Sequence, residues 1–284
     1  MDVEQITEPL ADHGEGPTWD AKQRAVHWVD MLAGDVLSLG RSGHVTRRHV
    51  GDVAAAIRPR RNGGLVIGIE RGFAVLDADG ARLRVVAEAW QDPSVRMNDG
   101  TCDPQGRFYC GSTAYDVAKG RGQLYRLDPD GTVHVVLEGV TVSNGLAWSP
   151  DGTTVFYVDS PTQRIDAFDF DPDTATFANR RAVVHIPAET GGPDGMTVDA
   201  EGYLWVALWD GGAVRRYAPD GRLDTVLELP VRRVTACAFG GPNLDELYVT
   251  TSRYQLPEGA QRQAGALFRA RPGVRGLPVA EYAG

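Results

Sequence analysis

The sequence predicts an all-β protein, a six-bladed β-propeller with four-stranded blades. Three observations support this fold class: a repeat of about 44 residues, turn tetrapeptides of the type Pro-Asp-Gly in several repeats, and the lack of any helical apolar pattern. No window of twelve residues combines the i, i+3, i+4 apolar spacing with helix caps. The 284 residues hold about six repeats, and we expect residues 1–284 to form one domain.

Each repeat begins with a hairpin in which two short apolar strands flank a turn. The first residue of each turn serves as an anchor, and consecutive anchors lie 39, 44, 46, 50 and 41 residues apart. A second hairpin follows, as in GQLYRLDPDGTVHVVLEG, where Pro and Gly occupy positions that suit a tight turn. One repeat therefore supplies the four strands of one blade. The anchors are Asp20, Pro59, Asp103, Ser149, Asp199 and Gly240.

The two ends of the chain are expected to complete the sixth blade together. The last repeat ends in GALFRARPGVRGLPVAEYA, which we expect to form its second hairpin. The segment from Val3 to Leu10 precedes the first repeat and should add a strand to the blade formed by the C-terminus. Such closure hides strand edges that would otherwise pair with other chains.

Composition and charge exclude several classes of protein. With 42% hydrophobic and 24% charged residues, the chain is not of the disordered type. The net charge of -9 and scattered basic residues argue against nucleic acid and anionic membranes as partners. We expect no signal peptide, because MDVEQITEPLADHGEG has neither a basic nor an apolar stretch, and no run of 18 apolar residues occurs. Three cysteines cannot form a fully paired disulfide framework. We expect a cytoplasmic protein, as a monomer or small homo-oligomer.

Four of the six repeats place an amide or carboxylate side chain five residues before the anchor, with glycine within the next two residues. Equivalent positions on the inner strands of a propeller converge near its axis. Buried carboxylates there, without neutralising Lys or Arg, would shift their pKa or require a cation. Oxygen ligands suit Ca²⁺, Mg²⁺ or Mn²⁺, and Zn²⁺ also accepts carboxylates, so we expect a metal site in the central channel. The four residues are Glu15, Asn98, Asn144 and Asp194, and the other two repeats carry Ala54 and Thr235.

Two other interpretations of these residues are weaker. Asn and Asp before Gly often make turns of their own, and equal offsets also arise from repeat ancestry. If repeat ancestry alone explained the pattern, positions 54 and 235 should also be Asn or Asp. Turn chemistry does not explain a Glu at position 15. The six histidines show no metal-binding spacing and are expected at surface or packing positions. The motifs of serine hydrolases, P-loop proteins and Rossmann folds are missing from the sequence.

Several segments of the chain resemble the regucalcin/gluconolactonase family, which includes the senescence marker protein and luciferin-regenerating enzyme. The resemblance covers nearly the whole chain. It implies a six-bladed propeller that binds one divalent cation in its channel and hydrolyses sugar lactones. The segments are EGPTWD, RMNDGTCDPQGRFYCGS, VSNGLAWSPDGTTVFYVDS, GGPDGMTVDAEGYLWVALWDGG and FGGPNLDELYVTTSR.

The resemblance also implies roles for single residues. Arg96 and Asn98 of RMNDG would contact the substrate, with Asn98 near the metal. An acidic substrate contact of the animal members has a possible counterpart in Asp116, and Tyr115 competes with it for that role. Asp99 would either orient the site from behind or cap a turn. The direct metal ligands would be Glu15, Asn144 and Asp194.

These residue types predict a mechanism. A divalent cation would polarise the lactone carbonyl, Asp194 would act as the base that activates water, and Arg96 would grip the sugar. The expected activity is metal-dependent hydrolysis of a sugar lactone to its aldonic acid. Two alternatives stay open: an organophosphate or other ester hydrolase of the same fold, and a non-enzymatic calcium-binding regulatory propeller.

Overall fold

A computed structural model describes residues 2–284 as six antiparallel four-stranded sheets arranged around a central channel. The first strand of each sheet contacts the first strand of the next, and the series closes from the sixth sheet back to the first. The predicted six-bladed propeller with four-stranded blades is therefore confirmed. The first three blades are β2 Gly14–Asp20, β3 Ala25–Asp30, β4 Asp35–Leu39 and β5 Val45–His49; β6 Ala54–Pro59, β7 Leu65–Ile69, β8 Gly72–Leu76 and β9 Leu83–Glu88; and β10 Val95–Cys102, β11 Phe108–Ala114, β12 Gly122–Leu127 and β13 Val133–Val140.

The remaining blades follow the same order, except that the last one uses both ends of the chain. Across residues 2–284 the structure contains no α-helix, as the sequence predicted, and its three short 3₁₀ turns span Met31–Ala33, Ser160–Thr162 and Ala188–Thr190. No helix in that range is long and apolar enough to cross a membrane. The blades are β14 Ser143–Trp148, β15 Thr154–Asp159, β16 Arg164–Asp171 and β17 Thr176–His185; β18 Gly192–Val198, β19 Leu204–Trp209, β20 Ala213–Tyr217 and β21 Leu223–Glu228; and β22 Val234–Gly240, β23 Glu246–Thr251, β24 Phe268–Ala270 and β1 Val3–Gln5.

The N-terminal strand closes the ring, but the second hairpin predicted for the sixth repeat is wrong. β1 pairs with β24 and takes the outer place in the sheet, with Glu4 opposite Arg269. Residues 271–284 are thereby free to run across the face of the ring that carries the anchor turns. There the Ala200 N–H donates to the Arg275 carbonyl at 2.8 Å, and the Tyr282 N–H donates to the Pro59 carbonyl at 2.9 Å.

Aspartates at three of the anchors explain why the hairpins turn where they do. Oδ1 of Asp20 accepts hydrogen bonds from the backbone N–H groups of Lys22 and Gln23 at 2.8 and 2.9 Å. Oδ1 of Asp199 likewise accepts from Glu201 and Tyr203 at 3.0 and 2.9 Å. A carboxylate that satisfies backbone donors in this way fixes a turn.

The core lies between the faces of neighbouring blades. Trp205 of blade 5 meets Phe239 of blade 6 edge-to-face at 5.8 Å, and Phe73 of blade 2 meets Phe108 of blade 3 at 5.9 Å. Such aromatic pairs add to the burial energy of their rings. The outer strands have mostly exposed or half-buried residues, and the inner strands are almost wholly buried. The inner strands are therefore held from both sides around the channel.

Candidate functional site

The four channel oxygens lie at β-bulges of the inner strands. In β14 the pairing with β15 skips between Ser143 and Leu146, and in β18 the pairing with β19 skips between Pro193 and Met196. β2 and β10 show the same irregularity. One extra residue bends a strand locally and re-aims its side chains. The bulges include or adjoin all four predicted residues, Glu15, Asn98, Asn144 and Asp194.

A chain of hydrogen bonds fixes the two amides. Nη1 of Arg96 donates to Oδ1 of Asn98 at 2.8 Å, and Nδ2 of Asn98 donates to Oδ1 of Asn144 at 3.0 Å. Nδ2 of Asn144 donates to Oγ of Ser160 at 2.7 Å, and that hydroxyl donates to the Pro193 carbonyl at 2.6 Å. The Asn144 oxygen is thereby oriented with one lone pair to spare, as a ligand requires. The Asn98 oxygen is engaged by Arg96, which suits its predicted place beside the metal.

Glu15 and Asp194 are two buried carboxylates that have no Lys or Arg partner in the described part of the chain. Their residues are 3% and 5% exposed, and within residues 2–284 neither has a Lys or Arg nitrogen within 4.0 Å. Burial raises the pKa of Glu15 well above its usual range, and the charges of Asp194 and Asp99 raise it further. The pKa of Asp194 is raised by burial and by Asp99. Two carboxylates whose ionised forms are disfavoured in this way make a site that a cation would stabilise.

Asp99 acts on the site through its charge. It is 9% exposed, and its Oδ1 accepts a hydrogen bond from the Gly100 N–H at 2.7 Å. Burial raises the pKa of Asp99, while the guanidinium of Arg58 lowers it. Its hydrogen bonds within residues 2–284 do not include any of the predicted metal ligands. Asp99 therefore combines the local backbone bond expected of a turn cap with an electrostatic effect on Glu15 and Asp194.

The structure places Tyr115, and not Asp116, against Arg96. The Arg96 guanidinium lies 5.8 Å from the centre of the Tyr115 ring, and the Tyr115 hydroxyl donates to Oε1 of Glu70 at 2.8 Å. Asp116 is exposed, and its Oδ1 accepts a hydrogen bond from the Ala118 N–H at 3.0 Å. The ring of Tyr115 therefore contributes to the position of the Arg96 guanidinium. The substrate contact expected of Asp116 stays a prediction.

His13 is the residue at this site that sequence reasoning missed. Its Nε2 lies 4.0 Å from Oε1 of Glu15, and its ring packs against those of Trp209 and Tyr254 at 5.7 and 5.5 Å. Burial lowers the pKa of His13 to about 3, helped by Arg96 and Arg233, so the imidazole is neutral. A usable signal was present in the sequence, because residues two apart on a strand point to the same side. Position 13 therefore faces the channel with position 15.

The opposite end of the channel holds a separate cavity of about 520 Å³. The anchor-turn ends of the inner strands and residues 277–281 of the C-terminal segment line it. None of the four channel oxygens is among its lining residues. The candidate site therefore lies at the end where the inner strands begin, away from the C-terminal segment.

The donor set fits a hard divalent cation. No cluster of three His, Cys, Asp or Glu side chains occurs in the described range of 2–284, so a site built only from such groups is absent there. Two carboxylates and one oriented amide oxygen are a different set, and they are the kind that Ca²⁺, Mg²⁺ and Mn²⁺ prefer. The uncompensated burial of Glu15 and Asp194 supports this fit.

Comparison with known proteins agrees with this architecture. A family model for the SMP-30/Gluconolactonase/LRE-like region matches residues 13–253. The chain is 37% identical to regucalcin of Gallus gallus over 283 residues, covering 95% of each protein. It is 36% identical to pentonolactonase XacC of Haloferax volcanii over 289 residues, covering 98% of this chain and 97% of that one. The structure of regucalcin from Agrobacterium tumefaciens, described as a calcium-binding protein, superimposes with a TM-score of 0.94 at 28% identity, covering 99% and 97% of the chains.

Proposed function

The chain belongs to the SMP-30/gluconolactonase/LRE-like family, and on that premise we propose that it hydrolyses a sugar lactone to the aldonic acid with one divalent metal ion in the channel. Sugar lactone hydrolysis is supported by the family and by the pentonolactonase relative. Metal dependence of this hydrolysis is supported by one observation: the buried carboxylates of Glu15 and Asp194 have no Lys or Arg partner within residues 2–284.

In this proposal Glu15, Asn144 and Asp194 hold the metal. The bound ion supplies Lewis-acid polarisation of the lactone carbonyl and neutralises the two carboxylates. Regucalcin of Agrobacterium tumefaciens is described as calcium-binding, which favours Ca²⁺ as the first ion to test. Zn²⁺, Mn²⁺ and Mg²⁺ are the other candidates.

Asp194 is the proposed general base. It takes a proton from water as the water oxygen attacks the carbonyl carbon of the lactone. The tetrahedral intermediate then collapses, the bond from the carbonyl carbon to the ring oxygen breaks, and Asp194 returns the proton to that leaving oxygen. The product is a ring-opened hydroxy acid, which ionises in solution.

Arg96 and Asn98 are proposed to orient the substrate. Nη1 of Arg96 donates to Oδ1 of Asn98, the Met97 carbonyl and the Met31 sulfur. None of the hydrogen bonds of Arg96 to residues 2–284 uses Nε or Nη2. These two nitrogens can therefore donate to substrate oxygens and favour the negative charge that develops on them. Asp116 is also proposed to contact the substrate, because the family resemblance places an acidic substrate contact in this stretch.

The function is tested by following acid release at constant pH from a panel of aldonolactones. We expect turnover with Ca²⁺ or another divalent ion, loss of turnover with excess EDTA, and recovery when the ion is restored. Lack of turnover on every aldonolactone with every ion would contradict the proposal. An organophosphate and a phenyl ester in the same panel test the ester-hydrolase alternative.

A calcium-binding regulator is the second candidate, favoured by the likeness to the calcium-binding regucalcin. Tight calcium binding measured by calorimetry, together with no turnover of any panel compound, would select it. We also propose the cytoplasm as the compartment, because Cys102, Cys110 and Cys237 are buried free thiols.

A further inference from the structure

His13 is held rigidly at the mouth of the proposed site. Its Nδ1 lies 2.8 Å from Oγ of Ser252, and the rings of Trp209 and Tyr254 pack against it from different directions. The residue is 7% exposed. The Arg233 guanidinium lies 4.8 Å from the centre of the Trp209 ring and supports that ring in turn. The position of the imidazole is therefore set by its surroundings.

The second nitrogen of His13 is without a hydrogen-bond partner in the described part of the chain. Within residues 2–284 its Nε2 makes no hydrogen bond, and it is not enclosed by neighbouring atoms. Oε1 of Glu15 lies 4.0 Å from it. Polar atoms inside proteins are usually hydrogen-bonded, and an unmade bond costs free energy. The free nitrogen faces the channel, where a bound substrate would supply the missing partner.

His27 and Ser38 form a histidine–serine pair like that of His13 and Ser252, but at a packing position. Its Nδ1 lies 2.7 Å from Oγ of Ser38, as His13 lies beside Ser252. The Nε2 of His27, however, is buried without a hydrogen-bond partner in residues 2–284, 3.8 Å from Oδ2 of Asp20. The two histidines share residue type and serine partner and differ in whether Nε2 reaches the channel.

We propose that His13 is a specificity-determining residue, whose Nε2 forms a hydrogen bond with a hydroxyl group of the sugar lactone. The inference rests on the proposed function. A hydroxyl group can donate or accept, so the bond forms with either tautomer of the neutral ring. The Ser252 hydroxyl accepts from the Tyr254 N–H at 3.0 Å and can donate to the Asp12 carbonyl at 3.3 Å, which favours Nδ1 as donor and Nε2 as acceptor.

Two substitutions distinguish the contributions of the two ring nitrogens of His13. Asn in His13→Asn keeps a polar group near the Nδ1 position and removes Nε2, whereas Gln in His13→Gln places a polar group near the Nε2 position. For D-glucono-1,5-lactone we expect His13→Asn to raise KM roughly three- to ten-fold, the range for one neutral hydrogen bond, with kcat little changed. His13→Gln should recover part of the loss. His27→Asn is the matched control and should leave KM unchanged.

Binding is measured separately from turnover. Calorimetric titration of sodium D-gluconate into the calcium-loaded proteins should show the same order of Kd, with calcium affinity unchanged in both His13 variants. Deoxy analogues of the lactone identify the hydroxyl, since the effect of His13→Asn should vanish for the analogue that lacks it.

The outcomes distinguish this inference from the proposed function. Equal Kd and KM in wild type and His13→Asn would overturn the role of His13, as would a ten-fold loss of calcium affinity, which would make His13 a metal ligand. If no lactone is hydrolysed but His13→Asn still weakens gluconate binding, the hydrolase proposal fails and the inference stands. If the wild type neither binds gluconate nor turns over any lactone, both the proposed function and the role of His13 are refuted.

Discussion

At the scale of single residues, the site is defined by two buried carboxylates whose charge no Lys or Arg within residues 2–284 neutralises. These carboxylates are Glu15 and Asp194, and Nε2 of His13 lies 4.0 Å from Oε1 of Glu15. The spacing of the repeats predicted the carboxylates because they occupy one equivalent position. His13 was not predicted although it lies two residues before Glu15, because its partners, Ser252 and Tyr254, are distant in sequence and its spacing alone does not distinguish a site residue from a packing residue.

Asp194→Asn should stabilise the metal-free protein at high pH. Because burial and neighbouring charge raise the pKa of Asp194, the folded chain holds a proton that the unfolded chain releases above about pH 4, so wild-type stability falls as pH rises through the raised pKa. Asn removes this loss and the repulsion of Glu15. In urea unfolding with EDTA we expect a gain of roughly 1–3 kcal/mol at pH 8 and a smaller gain at pH 5. Equal stability at pH 8 would contradict this.

Tyr115 and Asp116 can be ranked by substitution. The ring of Tyr115 lies over Arg96, whereas Asp116 bonds only the Ala118 N–H within residues 2–284. We expect Tyr115→Ala to raise KM for the preferred lactone about five-fold, since a lost cation–π contact of this kind is worth about 1 kcal/mol. Asp116→Ala should change KM less. The reverse order, in steady-state kinetics of both variants, would restore Asp116 to the role that the resemblance implies.

At the scale of elements, the bulged inner strand is the unit that positions the site. The sequence located these strands from their turns and apolar runs, but it could not reveal the bulges. Bulges depend on pairing with the second strand of the blade, and a glycine beside a channel oxygen does not by itself indicate a bulge. In the structure Gly195 allows close approach, since a Cβ there would lie 2.5 Å from the Ala236 Cβ.

Gly195→Ala should therefore destabilise the fold and disturb Asp194. Its added methyl would also lie 2.9 Å from the Thr235 carbonyl oxygen, so the neighbouring strand must shift. Overpacking of this kind costs roughly 1–3 kcal/mol in the free energy of unfolding. Gly40→Ala is the control, because a Cβ at Gly40 meets nothing within 4 Å. Equal unfolding curves in urea for the two variants would show that the strands tolerate the methyl group.

At the scale of the whole molecule, closure of the ring determines the geometry of the channel. The sequence predicted that the N-terminal segment completes the last blade, and β1 does so beside β24. It also predicted a second hairpin at the C-terminus, which the structure replaces with a segment that crosses the anchor-turn face. Local patterns alone could not distinguish these outcomes, because each end of the chain supplies a plausible fourth strand and only pairing in space selects one.

Removal of residues 1–5 should lower stability far more than loss of any side chain within them. The truncated protein would expose the edge of β24, which favours pairing with other chains. We expect a fall in Tm of about 5 °C or more and association visible by light scattering. Glu4→Ala is the control, because its ion pair with Arg269 is at the surface, where such pairs contribute about 1 kcal/mol or less. An unchanged Tm after truncation would show that β1 is dispensable for closure.

We propose that the channel carboxylate Asp194 activates water for lactone hydrolysis beside a bound metal. The most direct test is kcat of Asp194→Asn on the best aldonolactone, at an ion concentration that calorimetry shows to saturate both proteins. Loss of a general base predicts a fall in kcat of about 10²- to 10⁴-fold with the metal still bound. A variant that binds the ion and keeps kcat within about ten-fold of wild type would contradict the account.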